Sequence, residues 1–342
     1  MNTAPHQHLL EVRGLTKHFP LKKPLFGRGG DVVRAVDDID FSVLKGETLG
    51  VVGESGCGKS TTARLLMSLL APDRGEILYD GALVGGRDLP MKDFRRQAQM
   101  VFQDSYASLN PRLTIEDSIA FSPQVHGLPR VEAIARAHDL LARVGLEPHR
   151  FAARYPHELS GGQRQRVNIA RALALQPQLV ILDEAVSALD KSVEAQVLNL
   201  LLDLKDEFKL TYIFISHDLN VVRFMSDRVM VMYLGQVVEI GASEDLFNHP
   251  RHPYTRALLS SMPTMDPDQR TQSPPLAGDP PNPINPPSGC RFHTRCDKAQ
   301  AVCAEQVPVL SSAHQGHAVA CLMFEPGRGH TLAAPATLKE PA

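Results

Sequence analysis

Three short stretches of the chain carry residue types whose order and spacing point to phosphate chemistry. The run Gly53-Glu54-Ser55-Gly56-Cys57-Gly58-Lys59-Ser60-Thr61 sets three glycines where a backbone must curl closely round phosphate oxygens. Lys59 would reach the β- and γ-phosphates, and Ser60 would offer its hydroxyl to Mg2+. Further on, Leu179-Val180-Ile181-Leu182 ends in Asp183 and Glu184. An aspartate closing an apolar strand would hold the same metal directly or through water, and Glu184 is placed to orient or deprotonate a water attacking the γ-phosphate. Between them, Leu159-Ser160-Gly161-Gly162-Gln163 reads as an anion site of another kind, a serine cap and two glycine amides at a helix start without a lysine. Taken alone, these would be a glycine turn, a solvated carboxylate pair and a plain N-cap; their order argues otherwise.

A different chemistry is concentrated near the end. Of five cysteines, Cys57 lies in the glycine loop, while Cys290, Cys296, Cys303 and Cys321 follow the spacing C-x5-C-x6-C-x17-C. Zinc sites bring ligands in tighter pairs, so this is a poor zinc ribbon, but it offers four thiolates to a 4Fe–4S cluster. In a reducing compartment such a set suggests metal before disulfides. A cluster, a zinc ion, and unliganded or disulfide-bonded thiols are three open readings. His249 and His252 stand beside prolines and read as turn-forming residues rather than metal ligands.

The elements that must position these residues follow from periodicity. Leu9 to Lys17 and Val32 to Leu44 alternate as antiparallel strands, separated by a Pro-, Gly- and base-rich loop from Pro20 to Arg34. Val51 and Val52 complete a buried strand running into the glycine loop, and Ala63, Leu66, Met67 and Leu70 predict the helix after it. From about 105 to 176 the pattern is helical, with one stripe at Ile134, Ala137, Leu141 and Val144 and a second helix from Ser160 to Leu175. Strands return at Leu179–Leu182, Tyr212–Ser216 and Val229–Tyr233, with a helix striped by Val193, Val197, Leu200 and Leu204. Alternating strands and helices predict a parallel sheet interrupted by a helical insertion. The boundaries expected are 1–262 for a nucleotide-binding domain, 263–289 for a proline-rich linker and 290–342 for a cysteine-bearing extension.

At 342 residues the chain exceeds a usual single domain, and 36 basic against 38 acidic side chains give no electrostatic reason to expect nucleic acid as a partner. No apolar run is long enough to cross a bilayer, and the first residues lack the layout of a signal peptide, so a cytosolic chain is expected.

The ordered motifs resemble the ATP-binding cassette family over about the first 260 residues. The resemblance implies an α/β P-loop nucleotide-binding domain: a parallel sheet core, an antiparallel β subdomain and a helical insertion. It implies that Ser160-Gly161-Gly162-Gln163 contacts the γ-phosphate of ATP held by the phosphate loop of another subunit. Gln103, in Val101-Phe102-Gln103-Asp104, matches the glutamine that joins the sheet to the insertion, senses Mg2+ and water, and faces a membrane subunit. Asp190, in Ser187-Ala188-Leu189-Asp190, belongs to the segment that crosses between subunits, and His217, in Ile215-Ser216-His217-Asp218, to a γ-phosphate contact. Phe19 looks like the aromatic that stacks on adenine, with Val36 as a second face; the alternative is a core phenylalanine. One departure is Ala185, where many members carry proline, and only a slight change in backbone stiffness is expected from it.

The stretch Asn248 to Leu259 resembles the extension of ATPases from peptide and nickel importers, and the approach Asn282-Pro283-Ile284-Asn285-Pro286-Pro287-Ser288-Gly289-Cys290 narrows the likeness to the dipeptide-importer branch. That branch implies a peripheral subunit on the cytoplasmic face of the inner membrane, hydrolysing ATP with Mg2+. Its partners would be a second, homologous ATPase (a heterodimer, although one chain holds every element for a homodimer), two membrane permeases and, indirectly, an extracytoplasmic peptide-binding protein. Some related ATPases hold a 4Fe–4S cluster in the matching tail. A nickel importer, a soluble nucleic-acid-associated cassette ATPase and a non-catalytic regulatory subunit are the competing readings.

Overall fold

The structure, a computed structural model, describes residues 7–21, 31–262, 278–279, 281–314 and 316–333. Most of the expected loop between Pro20 and Arg34, much of the proline-rich stretch and the last nine residues lie outside the described residues.

Strands β1 (His8–Pro20) and β2 (Val32–Leu44) pair antiparallel, as their alternation predicts. Strand β3 (Thr48–Val52) then runs buried into the glycine loop and helix α1 (Lys59–Leu66). Strands β4 (Arg74–Tyr79) and β5 (Ala82–Leu83) extend the first sheet to the order β2-β1-β4-β5. Helix α2 (Met91–Gln97) and strand β6 (Ala98–Val101) lead to an insertion of α3 (Ile115–Val125), α4 (Arg130–Arg143), α5 (Pro148–Phe151) and α6 (Gly161–Leu173). The chain returns through β7 (Leu179–Asp183), α7 (Lys191–Phe208), β8 (Thr211–Ile215), α8 (Leu219–Met225), β9 (Arg228–Tyr233) and β10 (Gln236–Ala242). Helices α9 (Ser243–Asn248), α10 (Pro253–Ser260) and α11 (Ala301–Glu305) precede β11 (Ser311–His314) and β12 (His317–Val319).

The second sheet has eight strands in the order β11-β12-β10-β9-β3-β8-β7-β6. Strands β9, β3, β8, β7 and β6 are mutually parallel, whereas β10, β12 and β11 are antiparallel additions at one edge. Central parallel strands are covered on both faces, which is why β7 is apolar from Leu179 to Leu182, before Asp183 at its end. Its residues alternate between two cores: Val180 and Leu182 face one with α6, α7 and the insertion, while Leu179 and Ile181 face another with the first sheet and α1. Each such side chain contributes roughly 1.5–3 kcal/mol by leaving water. Parallel pairing also fixes polarity, bringing the C-terminal ends of β3, β6, β7 and β8 to one edge.

Three helix expectations shift locally. Helix α1 stops at Leu66 because Ser68 turns left-handed, so Leu70 falls beyond it. Helix α6 ends at Leu173 rather than Leu175; Gln176 is left-handed, and Pro177 disfavours a helical residue before it. The buried face of α7 is Glu194, Val197, Leu198, Leu201 and Leu204, leaving Val193 and Leu200 half-buried at its margin. His252 caps α10, its Nδ1 accepting the Tyr254 amide at 3.0 Å, in keeping with a turn. Burial lowers that imidazole to about 4, so it is neutral and able to accept.

The outer strands are fastened by a charged bridge. His317 lies with Nε2 at 2.7 Å from Glu239 and Nδ1 at 2.7 Å from Asp245, a geometry that uses both ring protons of an imidazolium. Glu239 is fully buried and also accepts the amides of Arg251 and His252. Burial opposes the charge on His317, but the two carboxylates outweigh it, raising its pKa above 6.5. The stability it contributes is therefore complete below about pH 6.5 and is lost as pH climbs through the raised folded value. His317→Gln, which leaves Glu239 buried beside a neutral amide, is expected to cost about 3 kcal/mol at pH 6. Thermal melts from pH 6 upward should show the native protein losing stability and the variant showing little slope; parallel curves would exclude the bridge as the cause.

Candidate functional site

The site assembles at the shared edge where the parallel strands end. Beyond β3, Gly53 and Gly58 have φ of 150° and 110°, and a Cβ at either would lie 2.2 Å from a backbone oxygen, of Met232 and Ala35 respectively. Only glycine fits both positions. Lys59, buried at the start of α1, donates to the carbonyls of Gly53 at 2.7 Å and Glu54 at 3.0 Å. The loop is thus folded round its own lysine, with Ser55 and Gly56 exposed at its crest, Thr61 half-buried and Cys57 buried beneath. Burial raises the Cys57 thiol, so it stands as a neutral packing group despite the nearby Lys59.

The two adjacent carboxylates differ in setting. Asp183, 4% exposed, accepts the Ser60 hydroxyl at 3.0 Å. Burial raises its pKa, and the charge of Glu184 adds to the rise. A buried carboxylate beside a hydroxyl is an oxygen donor pair suited to Mg2+. Glu184 turns away through a left-handed backbone, φ 48°, an unusual conformation for a side-chain-bearing residue. Its amide is held by Ile215 O at 2.9 Å, and its carbonyl accepts the Ser187 hydroxyl at 2.9 Å. One carboxylate oxygen, Oε2, accepts Gln103 Nε2 at 2.9 Å and lies 3.5 Å from His217 Nδ1. Gln103 follows β6, Glu184 follows β7 and His217 follows β8, so three neighbouring strand ends deliver one polar cluster.

The structure does not bring the other expected residues into this cluster. Ser160 caps α6 in a capping box with Gln163, with reciprocal bonds of 3.3 and 2.9 Å. Among the described residues no hydrogen bond ties Ser160, Gly161, Gly162 or Gln163 to the phosphate loop. Asp190 is exposed at the start of α7. Phe19 is half-buried near the end of β1 with Lys17 5.7 Å from its ring centroid, whereas Val36 is fully buried in the core beneath β2. Cys290, Cys296, Cys303 and Cys321 border one small cavity, and burial pushes Cys290 up to about 11 and Cys321 up to about 12. Among the described residues, no group of three or more His, Cys, Asp or Glu side chains stands ready to hold a metal ion.

Sequence reasoning missed a second ring of contacts. Tyr254 accepts the Glu54 amide at 2.9 Å, and Arg295 binds the Glu54 carboxylate. Neither partner stands near Glu54 in sequence, and although Tyr254 falls within the Asn248–Leu259 stretch, nothing in that stretch points to Glu54, so only the folded chain reveals the contacts.

A glycine-cradled lysine, a serine–aspartate oxygen pair and a third carboxylate at parallel strand ends define a P-loop ATPase. Comparison with known proteins makes this specific. Residues 36–187 match the family described as "ABC transporter", and residues 238–303 match "Oligopeptide/dipeptide transporter, C-terminal region". The chain is 50% identical over 329 residues to the "Oligopeptide transport ATP-binding protein AppF" of Bacillus subtilis (strain 168), covering 95% of this chain and 100% of that one. It is 48% identical to the "Dipeptide transport ATP-binding protein DppF" of Haemophilus influenzae, covering 93% and 97%. Among solved structures it resembles cbiO1 from Clostridium perfringens, part of an ABC transporter complex, at TM-score 0.60 and 28% identity over 71% and 92% of the two chains. A dimeric ATP-binding cassette in a post-hydrolysis state with ADP and phosphate matches at TM-score 0.59 and 30% identity over 68% and 98%. The chain belongs to the ABC transporter family, as one of its ATP-hydrolysing, nucleotide-binding subunits.

Gly58→Ala sets a methyl against the Ala35 carbonyl and demands positive φ. It is expected to weaken ATP binding by at least about 100-fold, because the loop cannot keep its amides convergent. Titration with a fluorescent ATP analogue checks this, and an unchanged affinity would show that the loop tolerates a side chain there.

Proposed function

We propose that this chain powers a peptide importer, binding ATP in a head-to-tail pair of subunits and hydrolysing it to reopen them. The single observation that carries the reading is the split of the motifs. The Lys59, Ser60, Asp183, Glu184 and His217 cluster is gathered at one edge, while Ser160 is exposed and Gly161 and Gly162 are half-exposed at the start of α6, with no hydrogen bond to that cluster among the described residues. A helix start whose two glycines are half-open to solvent supports an anion contact supplied to a second subunit.

In this mechanism Lys59 and the loop amides neutralise and orient the triphosphate. Ser60 and Asp183 would hold Mg2+, whose charge draws electron density from the phosphoryl oxygens. Glu184 takes the proton of the attacking water, with Gln103 fixing the carboxylate and His217 standing beside it to contact the γ-phosphate. Phe19 stacks on adenine. Asp190 lies in the segment between subunits. Loss of the γ-phosphate removes the bridge to the Ser160–Gly162 stretch supplied by the other subunit and shifts the equilibrium toward the open pair.

The similarity to oligopeptide and dipeptide transport proteins supports peptides as cargo, two membrane permeases and a second ATPase as partners, and a binding protein upstream. Among the described residues no helix is long and apolar enough to cross a membrane, which suits a peripheral subunit on the cytoplasmic face. A groove of about 790 Å3, lined by Phe102, Gln103, Leu113 and the exposed Phe121, offers an apolar seat for a permease segment beside the catalytic cluster. We retain 1–262 as the ATPase domain, 263–289 as a linker and 290–342 as the extension. Four cysteines border one cavity, a number and softness of ligand that suits a 4Fe–4S cluster, which would staple the extension, although among the described residues no three of them stand grouped to ligate it.

Glu184→Gln is expected to keep ATP affinity within about twofold while turnover falls roughly 100- to 1000-fold. Parallel binding and phosphate-release assays separate the two effects, and near-normal hydrolysis would remove Glu184 from this role. With its counterpart subunit, the variant should form a dimer that ATP, and not ADP, stabilises in size-exclusion chromatography. Anaerobically purified protein should carry iron and a visible absorbance that bleaches on reduction; a colourless, iron-free preparation would defeat the cluster.

A further inference from the structure

The cysteine-bearing extension is joined to the nucleotide site by two arginines that each adjoin a cysteine. Arg291 follows Cys290, and Arg295 precedes Cys296. Arg291 is buried and donates to Leu234 O and the Asp37 carboxylate, which also pairs with His18 at 2.8 Å. These partners neighbour Val36 and Phe19 in sequence. At the other end Arg295, its side chain 5% exposed, binds both Glu54 carboxylate oxygens at 2.8 and 3.1 Å and donates to Gly278 O at 3.0 Å. Between the two arginines, Phe292 meets the Tyr233 ring edge-on at 5.4 Å and the Tyr254 ring at 5.4 Å. Ring packing and charge therefore fix the same short segment.

Glu54 occupies a sensitive place. Its carbonyl accepts from Lys59, and its amide is held by Tyr254. Its carboxylate bears the same sign as the triphosphate that the loop wraps. Unpaired, it would both release the loop and repel the ligand. A forked guanidinium cancels that charge and locks its direction, and a partly buried pair is screened weakly by salt.

We propose that Arg295 is a positioning residue for the phosphate loop, fixing Glu54 and neutralising it beside the bound triphosphate. The Cys290–Cys296 segment is then part of the ATP-binding apparatus. This rests on the loop being the ATP site, a reading that nucleotide binding by the unaltered chain tests separately.

The experiment measures dissociation constants for Mg-ATP and Mg-ADP on the full chain by displacement of a fluorescent nucleotide. Arg295→Gln should weaken ATP about tenfold and ADP less, since the bare carboxylate repels the longer polyphosphate more. Adding Glu54→Gln to it should bring ATP affinity back to within about threefold of the unaltered chain, and Arg295→Lys, which keeps the charge but loses the fork, should fall between the unaltered chain and Arg295→Gln. An unchanged affinity in Arg295→Gln, equal losses for ATP and ADP, or a double variant weaker than the single would overturn the proposal. If Arg295→Gln fails to fold, the double variant decides it, and a tenfold loss there is fatal. An unaltered chain that binds no ATP would overturn the proposal together with the reading beneath it.

Discussion

Two like charges on consecutive residues set the terms for the rest of the site. Asp183 and Glu184 repel one another, and the fold separates them by environment rather than by distance along the chain. Asp183 is drawn into the sheet edge and given the Ser60 hydroxyl; Glu184 is twisted out through a left-handed backbone toward Gln103 and His217. Keeping a side-chain-bearing residue in that conformation costs roughly 1–3 kcal/mol. The surrounding strand ends hold it there, through Ile215 O and Ser187. One carboxylate is thereby suited to a metal and its neighbour to a proton, which hydrolysis of a phosphoanhydride requires.

Strand polarity makes this arrangement reproducible. Because β3, β6, β7 and β8 are parallel neighbours, residues just past their ends must converge, however far apart they lie in sequence. The glycine loop, Gln103, Glu184 and His217 each occupy that position. The eight-stranded sheet is therefore less a scaffold with a site attached than a device for aligning four chain reversals.

This explains what the sequence made legible. The apolar run Leu179–Leu182 and the glycine spacing carry their meaning locally, since burial on both faces and a backbone wrapped round phosphate each impose a short pattern. The helix ends were less legible. The left-handed residues Ser68 and Gln176 are neither glycine nor asparagine, so nothing in their type announces a stop. The buried stripe of α7 lies a fraction of a turn from the one its periodicity predicts, because the core accepts Leu198 and Leu201 and leaves Val193 and Leu200 at the rim. Wholly hidden were the pairs that span the chain, Arg295 with Glu54, Arg291 with Asp37, and His317 with Glu239. Charge pairing has no periodicity; it becomes readable only when topology supplies the neighbours.

The strands contributed late in the chain have an effect that goes beyond fastening. By pairing at Glu239 and Ile240, β12 covers part of the edge that β10 would otherwise present, and β11, four residues long, becomes the outer margin there. A long unpaired margin invites other chains to add to it, whereas a short one offers little template. The appended segment therefore acts as a hem on part of the sheet, and a chain that has formed β10 but not yet β12 presents that edge unpaired.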